Sequence, residues 1–270
     1  MYDNICKFIA ENFKDDLATW LLGAPIELTE LSPTELSAEP IRADSLILLQ
    51  SDDLVLHTEF QTEANENIPF RMLDYRIRVY RRFPQKEMRQ VVVYLRKTGS
   101  TLVSENNFRL NNTYHQFEVV RLWEEPTEKF LSVTGLLPFA VLSRTNDARM
   151  VLSQVAQAVE AIGDRQIQSN IAAASGVLAG LVLDNKVINQ ILRSDIMRES
   201  VVYQEILAEG EAKGEAKGKA EGKAEGKAEA TRKFAANLLR MGMSLAQIAE
   251  ATELTIEQVQ VLQNELQQSN

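Results

Sequence analysis

Apolar side chains recur at helical spacing at the start of the chain, at Ile5, Phe8, Ile9, Phe13, Leu17, Trp20 and Leu21. This predicts one amphipathic helix over residues 3–22, closed by Gly23 and Pro25. Ile41–Leu49 and Leu54–Phe60 are then apolar and β-favouring, with Ser51, Asp52 and Asp53 between them as turn formers. They predict a hairpin. Pro69 suits the first turn of a helix and Pro84 cannot continue one, so a helix is expected between them. The run Gln90–Arg96 (QVVVYLR) reads as a strand buried on both faces. Strand, helix and buried strand together predict a βαβ unit, and hence an α/β fold with a mixed sheet flanked by helices.

Further strands are expected around Phe108–Leu110 and Phe117–Trp123, before a loop-rich passage punctuated by Pro126 and Pro138. Beyond Asp147 helical patterns run to about residue 208, with breaks near Gly163 and Asp184. The boundaries that follow are an α/β domain over 1–145 and a helical region over 146–208. Gly210, Gly214, Gly218, Gly222 and Gly226 then recur with period four among Glu, Ala and Lys. Each glycine costs a helix about 1 kcal/mol relative to alanine, whereas a Glu–Lys pair four residues apart returns only about 0.2–0.5 kcal/mol. A solvated tether over 209–230 is the expectation, and the lack of an apolar heptad seam argues against a coiled coil.

In the tail, 231–270, Phe234–Met241 predicts a short helix. Ser244 with Gln247 and Thr255 with Gln258 match the capping-box pattern. Two capped helices joined by Thr252–Leu254 resemble a helix-turn-helix. The last of them carries Glu257 and Glu265 but no Lys or Arg, which favours an interaction or assembly module over a DNA reader. The helical regions thereby offer a route to a homo-oligomer.

Composition narrows the classes. With 45% hydrophobic residues in 270, the chain can bury a sizeable core. A net charge of -9 gives no global attraction to nucleic acid, so contact with DNA needs a local basic patch. The single cysteine, Cys6, excludes an internal disulfide and a cysteine-rich zinc site, in keeping with a reducing cytoplasm. No basic stretch followed by an apolar run opens the chain, and Ile171–Leu183 falls short of the ~20 residues of a membrane helix. A cytoplasmic protein without a membrane span is expected.

The hairpin carries the candidate chemistry. With Ser51 and Asp52 as its loop, Asp44 lies directly opposite Glu59. Alternation then gathers Arg42, Asp44, His57, Glu59 and Gln61 on one face and Ile47, Leu49, Leu54, Leu56 and Phe60 on the other. Opposed carboxylates repel, and a bound cation reverses the sign. Mg²⁺ (or Mn²⁺) takes one or two carboxylates plus waters and phosphate, and in phosphodiester cleavage supplies an activated water and charge neutralisation. Gln61, beside Glu59, could orient that water. A second reading stays open: Asp44 pairs with Arg42 or a helix arginine, and Glu59 is an exposed strand residue. His57 reads as a packed or hydrogen-bonded histidine rather than a ligand. On the following helix Arg71, Tyr75, Arg78 and Arg82 share one face, while Leu73, Ile77 and Tyr80 fall on another. That basic stripe either contacts phosphates or pairs with the chain's surplus acids.

These residues also carry a resemblance. Arg42-Ala43-Asp44, a hairpin, then His57-Thr58-Glu59-Phe60-Gln61 resembles the recombination-promoting nuclease (Rpn) and related transposase-like proteins of bacteria, a branch of the PD-(D/E)XK nuclease superfamily. Similar proteins begin with an Asp-x-x-Phe-Lys helix, matched here by Asp3-Asn4-Ile5-Cys6-Lys7 with cysteine for the aromatic. Their Arg and Tyr on the next helix correspond to Arg71 and Tyr75. The resemblance spans roughly 1–145. It implies a restriction-endonuclease-like core with an α-helical C-terminal extension, and a metal-dependent DNA endonuclease linked to recombination or mobile elements. Asp44 and Glu59 would be the metal ligands, with Gln61 in the lysine's place. Asp3 would be a further catalytic candidate, although an N-cap of the first helix is a sufficient role for it. A neutral amide cannot supply the lysine's charge. The resemblance therefore also allows a catalytically weakened or inactive nuclease-fold protein that acts as a binding or assembly module.

Overall fold

The computed structural model describes residues 2–31 and 46–268. The first amphipathic segment forms two helices, α1 (Tyr2–Asn12) and α2 (Lys14–Leu22), rather than one. Phe13 breaks the run with φ -129° and ψ 49°, and α2 ends on Gly23 at φ 76°, whose N–H bonds Thr19 at 3.0 Å. The reason for the break lies further along the chain. The Gly135 N–H donates to Asp16 at 2.9 Å, and a Cβ at Gly135 would collide with Phe13 and Asp16. The Phe13 corner is thus fitted to a backbone that only glycine lets approach so closely.

Among the described residues seven strands follow: β1 (Thr29–Glu30), β2 (Leu46–Gln50), β3 (Leu54–Gln61), β4 (Glu87–Tyr94), β5 (Asn107–Leu110), β6 (Thr113–Gln116) and β7 (Glu118–Arg121). Five form a mixed sheet in the order β1-β2-β3-β4-β7, and β5 with β6 makes a separate hairpin. β2 and β3 are antiparallel, whereas β3, β4 and β7 run parallel. The crossover from β3 to β4 is α3 (Ile68–Arg82), which has Pro69 in its first turn. The expected βαβ unit is present.

The hairpin register differs from expectation. Glu59 faces Leu46 and His57 faces Leu48, so Glu59 is not opposite position 44. The turn is centred one residue later than expected: Gln50 pairs with Val55, and the Ser51 N–H closes on the Leu54 carbonyl at 2.9 Å, leaving Asp52 and Asp53 at the tip. Asp44 and Arg42 lie outside the described residues. The slip is an even number of residues, so the assignment of faces survives it.

Ile47, Leu49, Leu56 and Phe60 point to one side, where they join Ile5 and Ile9 of α1, Leu17 of α2 and a set of later helices in one core. Those helices are α4 (Glu128–Leu131), α5 (Leu137–Ala140), α6 (Ala148–Glu160), α7 (Arg165–Ala179), α8 (Asn185–Ile191) and α9 (Ser194–Arg198). Phe60 stacks on Phe139 with centroids 5.6 Å apart. Each such fully buried side chain contributes about 1.5–3 kcal/mol. The segment 146–208 is therefore no separate region, because its helices complete the core under the sheet, and Met1–Ile206 is one compact unit. On the opposite side Leu48, Val55, Val92 and Tyr94 pack under Met72, Tyr75 and Val79 of α3.

The glycine repeat is helical. α10 runs without a break over Val201–Arg240, which corrects the tether expected at 209–230. Between its glycines stand only Ala, Glu and Lys, all strong helix formers, with no proline. Apolar packing adds to that propensity near its ends, where Ile206 is buried in the core of the first unit and Ala235 in that of the second. The second unit, Leu207–Asn270, adds α11 (Leu245–Thr252) and α12 (Ile256–Gln268) around Ala235, Ile248, Val259 and Leu262. Both capping boxes form: Ser244 with Gln247, and Thr255 with Gln258 at 2.9 and 3.2 Å. Glu253, at φ 60°, turns the chain between the two helices. No helix among the described residues is long and apolar enough to cross a membrane.

Candidate functional site

Alternation along β3 directs Val55, His57 and Glu59 toward α3. Glu59 is fully buried, and so are His57 and Thr58. A carboxylate at zero exposure needs a compensating charge, and α3 supplies it. Nη2 of Arg71 donates to Oε2 of Glu59 at 2.8 Å, and Nε2 of Gln61 donates to the same oxygen at 3.3 Å. Among the described residues the other oxygen, Oε1, has no hydrogen-bond partner; its near neighbour is Nε2 of His57 at 3.6 Å, which has none among them either. Buried polar atoms are rarely left so.

The cluster shapes the phenols around it. Burial, and then the Glu59 charge, push the Tyr75 hydroxyl up to about 12. Tyr94 is raised by burial and by Glu105 and Glu59. Burial, with Arg76 and His57 nearby, lowers His115. In a spectrophotometric titration, the absorbance lost in a Tyr75→Phe variant should belong to a phenol ionising near pH 12, well above the ordinary tyrosine range. A difference curve centred at about pH 10 would contradict the burial of that hydroxyl beside Glu59.

The arginine stripe on α3 is turned otherwise than the sequence suggested. Ile68, Met72, Tyr75 and Val79 form the buried face, and Phe70, Ile77 and Tyr80 are exposed. Tyr75 is 6% exposed with its ring edge-on to His57 at 5.0 Å, so it is a packing residue here and not a surface contact. Arg71 is committed to Glu59, and Arg78 bonds Asp74 at 2.8 Å. Arg82 stands exposed in the last turn, 5.8 Å from the Phe83 ring centre. The apolar face of α3 and the Arg71–Glu59 pair turn to the sheet together, and Phe70, Ile77 and Tyr80 stay outside.

Asp3 lies inside the first turn of α1, which begins at Tyr2, so it is not an N-cap. Its helix packs in the core on the other side of the sheet from Glu59, and there burial, and then Asp3, raise the Cys6 thiol. The structure thus joins Glu59, Gln61 and Arg71, keeps Asp3 apart from them, and buries Tyr75 beneath. Sequence reading missed Gln90 and His115 as members of the cluster. The one signal for Gln90 was a lone amide opening an otherwise apolar strand, and its meaning depends on the register that sets it beside His57.

Whether a divalent cation fits can be tested on the donor set. Among the described residues no three His, Cys, Asp or Glu side chains converge as a self-sufficient metal cage. Mg²⁺ does not require one, since it keeps several waters and commonly takes only one or two carboxylates. Oε1 of Glu59, without a hydrogen-bond partner among the described residues, is a hard oxygen suited to that role. No protein-family model, curated protein or solved structure matches the chain.

Proposed function

We propose that the chain is a metal-dependent phosphodiesterase acting on DNA, of the recombination-promoting nuclease kind it resembles. The observation that carries the reading is the buried Glu59 carboxylate, held on one oxygen by Arg71 and Gln61 and, among the described residues, without a partner on the other. In this reading Glu59 and Asp44 are the ligands of Mg²⁺ or Mn²⁺, which when bound supplies an activated water and charge neutralisation.

The chain's own residues have distinct roles. Arg71 fixes the Glu59 carboxylate in one rotation, so that Oε1 is the oxygen presented. Gln61, anchored through its amide nitrogen, keeps its carbonyl oxygen available to orient a water. The missing lysine charge has a counterpart in Arg71, whose guanidinium touches the same carboxylate and is 30% exposed, near enough to solvent to meet a phosphate. Arg81 and Arg82, both exposed at the end of α3, extend that positive surface along a DNA backbone.

The test is nicking of supercoiled plasmid with Mg²⁺ or Mn²⁺. The parent chain should convert supercoiled to open-circular DNA, and Asp44→Ala and Glu59→Ala variants should lose that conversion. Equal nicking by parent and variants would defeat the assignment.

A further inference from the structure

The chain has two histidines, and a single glutamine side chain joins them. Gln90 is 5% exposed on β4, in register with His57 on the neighbouring parallel strand β3. Its Nε2 lies 2.8 Å from the Met72 carbonyl oxygen of α3. A carbonyl only accepts, so the amide can face it in one way, nitrogen first. The rest of the chain of bonds follows. The same Nε2 lies 2.9 Å from Nδ1 of His57, which must then accept, and a neutral His57 ring carries its proton on Nε2. Oε1 of Gln90 also only accepts, so Nε2 of His115, at 2.7 Å, donates. One backbone carbonyl therefore decides the tautomers of both imidazoles.

The consequence falls on Glu59. Nε2 of His57 is 3.6 Å from Glu59 Oε1, and both atoms are buried without a hydrogen-bond partner among the described residues. With the proton on Nε2 an N–H faces the carboxylate oxygen. With the other tautomer a lone pair would face it and the two would repel. The edge-on contact of the ring with Tyr75 at 5.0 Å restrains its tilt.

We infer that Gln90 is a positioning residue for Glu59: it holds His57 with its N–H on Nε2, aimed at Oε1 of the carboxylate. Its consequence for metal binding rests on the reading of Glu59 as a ligand. In metal sites generally, groups that orient a ligand from behind change affinity by about 10- to 100-fold.

The test uses the full chain labelled with ¹⁵N-histidine, observed by imidazole NMR at about pH 8.5, above the ordinary histidine range. In the parent, His57 should show a protonated Nε2 and a bare Nδ1; a proton on Nδ1 overturns the inference before any variant is made. In Gln90→Glu the new carboxylate accepts from Nδ1–H and draws the proton there, whereas Gln90→Leu leaves the tautomer unconstrained. An unchanged ring pattern in both variants also overturns it. A Mn²⁺ titration of the same three proteins reads the consequence, with about 10- to 100-fold weaker binding expected in both variants. Equal affinity in all three overturns the positioning role. A tautomer change in the variants with no Mn²⁺ binding by the parent upholds Gln90 as the device that sets His57, and it is then the metal reading of Glu59 that falls.

Discussion

The Arg71→Ala variant should unfold with a free energy about 3 kcal/mol below that of the parent chain, measured by urea denaturation at neutral pH. Removing one partner of a buried ion pair costs about 3–5 kcal/mol because the remaining charge is stranded in a place that water does not reach. Glu59 is fully buried, and without Arg71 it would keep only the 3.3 Å contact from Gln61 on Oε2. The lower end of the range applies because the Arg71 side chain is 30% exposed and its loss admits some water. Arg71→Lys should fall between the two, since an ammonium returns the charge without the planar geometry of the guanidinium. Combining Arg71→Ala with Glu59→Gln should recover most of the loss, because a neutral amide no longer needs the cation. A loss within about 0.5 kcal/mol for Arg71→Ala, the range typical of an unimportant surface site, would mean that the pair does not hold α3 against the sheet.

Replacing Gly210, Gly214, Gly218, Gly222 and Gly226 together by alanine should stabilise α10 by about 4–5 kcal/mol in sum, at about 0.8–1.0 kcal/mol per site. A Cβ added at any of the five meets nothing within 4 Å, so no clash offsets the gain. Part of the effect arises in the unfolded chain, which loses backbone freedom when glycine becomes alanine. Amide hydrogen exchange over residues 207–230 is the direct readout, because opening of a helix this polar is local and not coupled to the whole fold. A single Gly218→Ala change should slow exchange of neighbouring amides about fivefold, the equivalent of about 1 kcal/mol. Exchange at the unprotected rate in both proteins would return the segment to the solvated tether that its glycine content first suggested.

That segment shows where sequence reading stopped. Pairwise propensities weigh each glycine against its neighbours, but α10 is also packed at Ile206 and Ala235, and those contacts are tertiary. The core strands were legible for the opposite reason. β3 and β4 are apolar runs bounded by turn formers, and their order around α3 follows from the prolines that delimit the helix. The break at Phe13 was not legible, since its cause, the close approach of Gly135, lies more than a hundred residues away. In the site, the faces of the hairpin were readable from alternation, but the register was not, because it depends on how the turn at Ser51–Leu54 closes. Of the two readings the sequence allows for the arginine stripe, pairing with the chain's own acids holds for Arg71 with Glu59 and for Arg78 with Asp74. Which acid each arginine meets is not legible, because the Glu59 contact depends on how α3 seats on the sheet.

The polar bonds from α3 to the sheet have an effect beyond the site. Apolar side chains such as Met72 and Val79 would tolerate a small slide or roll of the helix, since one greasy contact replaces another at little cost. The bonds Arg71–Glu59 and Met72–Gln90 are directional, and a shift of one residue would leave the Glu59 carboxylate without its cation and the Gln90 amide without the carbonyl that orients it. They act as a key that admits α3 onto the sheet in one seating. A chain that lost them could keep its secondary structure and its core volume, and yet have several ways to assemble.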